Sequence, residues 1–262
     1  MCRAMIYCFS GTGNSLHAAM GIAERLKPAK IVSMRCDPAT FPAVQAEVIG
    51  FVFPVYHWTM PALVRAFIEK LPLRRDAYIF GVASCGGLAV NALNDFAALM
   101  RGKGAAASYT RVHYNVAGYV AAYEPFPPPE KQLPKAEAEL EVIAEEISRG
   151  VRNTPPAQTV GKELMRRLER PFVKALPTKD KGFCVSGDCV SCGLCARICM
   201  AHNITMENGR PAFRHQCAQC MACVVFCPKG AINYRDKTQT RTKYHHPAVT
   251  AGMLAMDTMD FF

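Results

Sequence analysis

FSGTGNS, residues 9 to 15, joins a short apolar run, MIYCFS (Met5 to Ser10), to an amphipathic stretch from Ser15 to Lys27 that Pro28 closes. A strand feeding a glycine loop that opens a helix is the unit from which layered α/β sheets are built. The first turn of that helix offers unpaired backbone N–H groups and a partial positive charge, so an anion belongs there. Gly11 and Gly13 let the backbone curl closely, while Ser10, Thr12, Asn14 and Ser15 supply side-chain donors. The glycine spacing is not that of the dinucleotide fingerprint, and no lysine follows as in a P-loop. The plainer reading is a tight turn with an incidental cap.

Working outward, the first half alternates apolar runs with amphipathic stretches. KIVSM (30–34), EVIGFVFPVY (47–56), AYIFGVAS (77–84) and a segment within 105–116 read as further strands. Helices are expected over 61–71, 88–101 and 133–150, the last with Leu140, Ile143 and Ile147 on one face. Continuous apolar strands separated by helices predict a parallel sheet covered on both faces, here doubly wound and five-stranded. Such sheets bind ligands beyond the carboxyl ends of their strands at the switch point.

The loop FSGTGNS resembles the T-G-x-[ST] signature with which flavodoxins hold the FMN phosphate through hydroxyls and no cationic side chain. On that resemblance Ser10, Thr12, Gly13, Asn14 and Ser15 take the phosphate. The loops after the third and fourth strands then meet the flavin ring. The first, PVYHWTMP, holds Tyr56, His57 and the only tryptophan, Trp58; the second, SCGGLAVN, holds Ser84, Gly86 and Gly87. Aromatic faces suit a flat ring, although core packing is the plainer role for Trp58. His57 has no evident orienting partner, and Cys85 reads as an unreactive thiol. The proline-rich excursion from Gly118 to Gln132 is placed to cover a ligand.

CVSCGLCARIC (189–199) and CAQCMACVVFCP (217–228) put eight of the 13 cysteines within 39 residues. Each run spaces three cysteines by two residues and the fourth by three. Zinc takes two separated pairs; the doubled run is the two-cluster ferredoxin arrangement, in which each fourth cysteine serves the other cluster. Cys189, Cys192, Cys195 and Cys227 are therefore assigned to one 4Fe–4S cluster, and Cys217, Cys220, Cys223 and Cys199 to the other. Met200 stands where proline is usual in the first run, which predicts a looser turn there; Pro228 keeps the usual residue. Cys184 reads as structural, and Cys2, Cys8 and Cys36 as buried small residues.

These patterns divide the chain into a flavodoxin-like FMN-binding domain (1–150), a basic connector (151–182), a small α+β two-cluster ferredoxin domain (183–235) and a tail (236–262) expected to wrap the surface. The net charge of +10 is uneven: residues 150–182 carry 8 basic and 3 acidic groups, a balance of +5. Two clusters and one FMN would bring the whole nearer about +4. No nucleic-acid module is present, and no apolar run is long enough to span a membrane. The glycine loop begins too early for a secretory leader, and thiolate-type cysteine spacings suit a reducing compartment, so a cytoplasmic location is expected.

The whole chain resembles the EFR-type ferrodoxin family, fusions of a flavodoxin domain to a two-cluster ferredoxin. YCFSGTGNS, the two cysteine runs and the tail stretch TKYHHP (242–247) carry the resemblance. It implies FMN and two 4Fe–4S clusters, with no settled substrate. The expected function is an electron carrier that passes single electrons between the clusters and FMN, needing no acid or base. The alternative is an FMN-dependent reductase fed by its own clusters, with the excursion as a lid over a pocket lined by Tyr119, Tyr123 or Phe126. A cluster-based sensor is a third reading. Redox partner proteins are expected, an acidic one docking near 150–182 through Arg166, Arg167 and Arg170.

Overall fold

The computed structural model describes residues 3–40 and 46–262; Cys2 lies outside them. Strands β1 (Ala4–Cys8), β2 (Ala29–Ser33), β3 (Val48–Pro54), β4 (Tyr78–Cys85) and β5 (Tyr109–Tyr114) pair in parallel in the order 2-1-3-4-5. This is the flavodoxin-like doubly wound order, with its switch point between β1 and β3. β3 is buried at six successive positions, as a strand covered on both faces must be.

Helices α1 (Asn14–Arg25), α2 (Ala62–Lys70), α3 (Ala92–Gly102) and α4 (Pro129–Ser148) cover the sheet. On one face Leu16, Ala19 and Ile22 of α1 join Leu140, Ile143 and Ile147 of α4. On the other, Phe67 and Phe96 pack on Tyr7, Phe51 and Phe53. The predicted strands and helices fall where expected to within a few residues. Helix α5 (Val160–Ala175) occupies the connector.

The cysteine-rich half has two small antiparallel pairs. β6 (Phe183–Val185) pairs with β9 (Ile232–Tyr234), and β7 (Ile204–Glu207) with β8 (Arg210–Phe213) through an Asn208–Gly209 turn at positive φ. Two one-turn helices, α6 (Leu194–Arg197) and α7 (Ala222–Val225), precede the fourth cysteine of each run. The core beneath β1 and β2 continues without a break into Ile198, Val224 and Phe226 of this half.

The tail departs from the expectation of a surface wrap. Helix α8 (Ala251–Ala255) leads into β10 (Thr258–Phe261), which adds a sixth strand antiparallel to β2. Exposed and half-buried positions alternate along β10, the pattern of an edge strand, and only its pairing with β2 reveals it.

Candidate functional site

At the carboxyl ends of β1, β3 and β4 lies a cavity of about 530 Å³, within the range of small-molecule and cofactor sites. Ser10, Gly11, Thr12, Asn14 and Ser15 line it from the glycine loop, Tyr56, His57 and Trp58 from the loop after β3, and Ser84, Gly86 and Gly87 from the loop after β4. Gly13 stands behind the wall: it caps α1 at φ 95°, and an added Cβ would meet His246 and Val249 of the tail. A side chain there is strained, which only glycine avoids.

The donors differ in availability. Ser10 Oγ accepts from the backbone N–H of Leu16 at 3.2 Å, leaving its O–H to donate. Asn14, expected to face the anion, gives one Nδ2–H to the Val116 carbonyl and accepts from the Tyr244 hydroxyl at Oδ1, both at 2.8 Å, which fixes its amide at the cavity wall. Ser84 Oγ is buried with no partner among the described residues. A buried hydroxyl left unpaired costs about 1–3 kcal/mol, so a polar ligand atom in the cavity suits it. Gly87 has open space beside it, whereas Gly86 is pressed against Ala117.

Trp58 is 43% exposed and at the cavity mouth, which removes core packing as its role. Tyr56 and Thr59 exchange both backbone hydrogen bonds across a two-residue turn, with His57 at φ 47° and Trp58 at φ 61°. Such turns favour Asn-Gly; two bulky residues at positive φ cost on the order of 1–2 kcal/mol each. Strain of this kind concentrates at binding sites. Burial, with help from the Lys179 charge, holds the His57 imidazole below its ordinary pKa. Burial raises the Cys85 thiol, in keeping with an unreactive cysteine.

Ala218, Gln219, Cys220 and Met221 form a further wall, so the second cysteine run reaches the same cavity. An added Cβ on Gly11 would lie 2.4 Å from the Cys220 carbonyl oxygen and 2.9 Å from Cys220 Cβ. The glycine loop and the cysteine loop are thus in van der Waals contact, with Tyr119 donating to Gln219 across the seam at 3.2 Å. Sequence reasoning missed this wall. The ligand spacing identifies Cys220 but carries no signal for which way its loop faces.

The cysteines gather as two sets of four. Cys189, Cys192, Cys195 and Cys227 line one small cavity together with Cys223; Cys199, Cys217, Cys220 and Cys223 line a second. The runs repeat one backbone course: Ser191 and Gln219 sit at φ 58° and 54°, Gly193 and Met221 at 69° and 61°. Left-handed residues in such turns can aim backbone N–H groups at an anion. Cys217 Sγ accepts from Gln219 N, and Cys199 Sγ from Asn203 N, each at 3.2 Å. Burial pushes the Cys195 and Cys217 thiols up to about 11 and raises Cys220 and Cys223 further. A bound cation is what would draw off those protons. Among the described residues no three of these sulfurs approach within 4.8 Å, whereas tetrahedral zinc would hold its sulfurs about 3.8 Å apart.

Met200 is buried against the sheet's second core with Phe9 and Phe53, so the turn lacking proline is held by packing. Cys8 is buried as expected, Cys36 only partly, and Cys184 is exposed on β6. Near the second run, burial alone would raise the Asp180 carboxyl, but hydrogen bonds from His215 and Asn203 hold it below its usual value.

The stretch TKYHHP fastens the two halves. Lys243 Nζ donates to the Gly230 carbonyl and His245 stacks on Phe226 in the cysteine-rich half. Tyr244 holds Asn14, and His246 N donates to the Thr12 carbonyl at 2.8 Å behind the glycine loop. His246 also stacks on His17, which pairs with Glu137. His17, Glu137 and His246 bring three ligand atoms within 4.8 Å. Stacked imidazoles 3.9 Å apart cannot both aim an in-plane lone pair at one ion, so this cluster is a structural clasp.

Residues 188–232 match the family model described as a 4Fe-4S dicluster domain. With the strand order above, that match defines the class: a flavodoxin-like α/β protein carrying an iron–sulfur domain suited to redox chemistry. No curated protein matches the chain. Among solved structures it is similar to the Trp repressor binding protein from Bacillus subtilis, at 14% identity and TM-score 0.39, over 53% of this chain and 94% of that one. Azoreductase AzrA is similar at 15% identity and TM-score 0.38, over 56% and 98%. An azoreductase from Bacillus anthracis str. Sterne is similar at 14% and 0.35, over 56% and 97%. Likeness at these scores carries no argument about activity.

Proposed function

We propose that the chain is an electron-transfer protein of the EFR ferrodoxin type, passing single electrons between two 4Fe–4S clusters and FMN. The observation that carries the reading is the shared wall: Cys220, assigned to one cluster, lines the cavity that the glycine loop opens. Cys189, Cys192, Cys195 and Cys227 would hold the outer cluster, with Cys192 exposed toward partners. Cys199, Cys217, Cys220 and Cys223 would hold the inner one. Ser10, Thr12, Ser15 and the backbone around Gly13 and Asn14 suit the FMN phosphate; Tyr56, His57, Trp58, Ser84, Gly86 and Gly87 suit the ring. Bound there, FMN supplies the exchange between one-electron and two-electron chemistry. The residues themselves exclude water, fix the two cofactor beds in contact and bury the inner thiolates.

On this reading the boundaries at 150, 182 and 235 separate a flavin module, a connector and a cluster module, with the tail as their fastener. Redox partner proteins exchange electrons at the outer cluster. An acidic partner on 150–182 would lack Arg166, which is committed to Asp95 at 2.7 Å. It would also leave unmatched the apolar stripe of that segment.

One observation favours the reductase alternative. Tyr119, Tyr123 and Phe126 line the same cavity, and Tyr123 and Phe126 are exposed at its mouth. The excursion is nonetheless tied down: Arg241 donates to the Val120 carbonyl at 2.6 Å and Thr242 N to Glu124 at 3.1 Å. Anaerobic purification with iron, sulfide and flavin quantitation tests the proposal, the expected yield being about eight irons and one FMN per chain. Zinc in place of iron, or a flavin-free chain that binds no added FMN, would overturn it. Reoxidation of the reduced protein by small acceptors faster than by a ferredoxin-type protein would select the reductase.

A further inference from the structure

Helix α5 is docked with its faces reversed. A surface helix normally turns its apolar stripe to the core. Here the inward side is polar. Arg166 pairs with Asp95, Lys162 Nζ donates to Asn94 at 3.1 Å, Asn91 donates to the Lys162 carbonyl at 3.0 Å, and Glu169 is buried. Outward, Val160 is 89% exposed, Leu164 58%, Leu168 60% and Phe172 60%. At 100° per residue these i, i+4, i+8 and i+12 positions form one stripe about 120° wide. Their exposed surface is on the order of 500 Å², at the upper end of what monomers leave bare and a mark of an interaction site. Arg167, Arg170 and Lys174 line one flank, and Lys179 and Lys181 continue the cations beyond the helix.

We infer that α5 lies on the surface of an anionic lipid bilayer. Three observations choose this occupant. A strongly amphipathic helix that is polar on balance, with Leu and Phe on one face and Arg and Lys beside them, is the interfacial type. Side chains this exposed project from the helix as a convex stripe, which a deformable bilayer accepts and a protein partner meets only with a matching groove. The flanking cations oppose a second copy. An antiparallel pair of these helices would set the two cationic flanks side by side. No helix of the described residues is long and apolar enough to cross a membrane, so the contact is peripheral. None of this depends on the redox reading.

The test is flotation of the purified holoprotein with vesicles of phosphatidylcholine, alone or mixed with phosphatidylglycerol. The protein should float with the mixed vesicles only, less so at high salt. A Leu164→Gln, Leu168→Gln, Phe172→Gln variant that keeps its iron, flavin and circular dichroism should partition at least about a hundredfold less. The variant Arg167→Gln, Arg170→Gln, Lys174→Gln should also lose about a hundredfold, at roughly fivefold per cation. Leu168→Gln alone should move the same way by a smaller factor. Absence of wild-type flotation, or flotation undiminished by the apolar variant, would overturn the inference. So would a wild-type dimer that the apolar variant turns into a monomer, since a second copy would then cover the face. Binding that responds to the cations but not to the stripe would mark an acidic surface instead and equally refute it.

Discussion

Gly11→Ala should separate the two cofactor beds, and Gly87→Ala should not. Both glycines line the same cavity. An alanine Cβ at position 11 would start 2.4 Å from the Cys220 carbonyl oxygen, and real Cβ atoms essentially never come closer than 3.0 Å. That oxygen belongs to the backbone of a cluster-bearing loop, so relief requires the glycine loop and the cysteine loop to part. At position 87 nothing lies within 4 Å. Overpacking of this kind costs about 1–3 kcal/mol, or about 2–12 °C in melting temperature for a chain of this size. Anaerobic thermal unfolding followed by circular dichroism reads the loss, and stopped-flow absorbance reads the rate at which electrons reach the flavin. Gly11→Ala should lower both, while Gly87→Ala leaves the melting temperature near wild type. If Gly11→Ala melts and transfers like the wild type, the two beds are not in contact through these loops.

Burial and the neighbouring Asp95 carboxylate push Glu169 up to about 7. The fold therefore prefers Glu169 protonated and loses stability as pH rises from about 4.5 toward 7. Glu169→Gln should be the more stable protein at pH 8 by on the order of 1–2 kcal/mol, with little difference at pH 5, as urea unfolding at the two values would show. His246 is held down to about 3 by burial and by the His17, His113 and His245 charges. Only the unfolded chain takes up that proton between pH 6.5 and 3, so acid weakens the fold there by up to about 1.4 kcal/mol per pH unit. His246→Gln should flatten the decline between pH 7.5 and 5.5 by roughly 1 kcal/mol, again read by urea unfolding. Trp58→Ala should weaken FMN binding up to about tenfold, measured by flavin fluorescence, through loss of an aromatic face.

The parallel sheet was legible because its strands are long apolar runs punctuated by glycine and proline, and because FSGTGNS marks the strand-to-helix turn at the switch point. The doubled cysteine run was legible from spacing, and the structure places Cys227 beside Cys189, Cys192 and Cys195 at one small cavity and Cys199 beside Cys217, Cys220 and Cys223 at another. What could not be read depended on contacts between distant segments. Nothing local in TMDF announces an edge strand; β2 supplies its partner. Asn14 reads as a free phosphate donor until Val116, 102 residues away, takes one of its amide hydrogens. The +5 balance of 150–182 suggested a dock for an acidic partner. Periodicity could have shown the stripe of Val160, Leu164, Leu168 and Phe172, but only the docking of Arg166 on Asp95 and the burial of Glu169 show that this stripe faces out.

The central claim is that electrons cross from the cluster bed to the flavin bed inside one polypeptide. The most direct measurement delivers a single reducing equivalent to the clusters of the anaerobic holoprotein by flash photoreduction and follows flavin absorbance at several protein concentrations. Transfer within the chain predicts a first-order rate that does not change with dilution. A rate that climbs in proportion to protein concentration, or clusters that stay reduced beside an oxidised flavin, would contradict it.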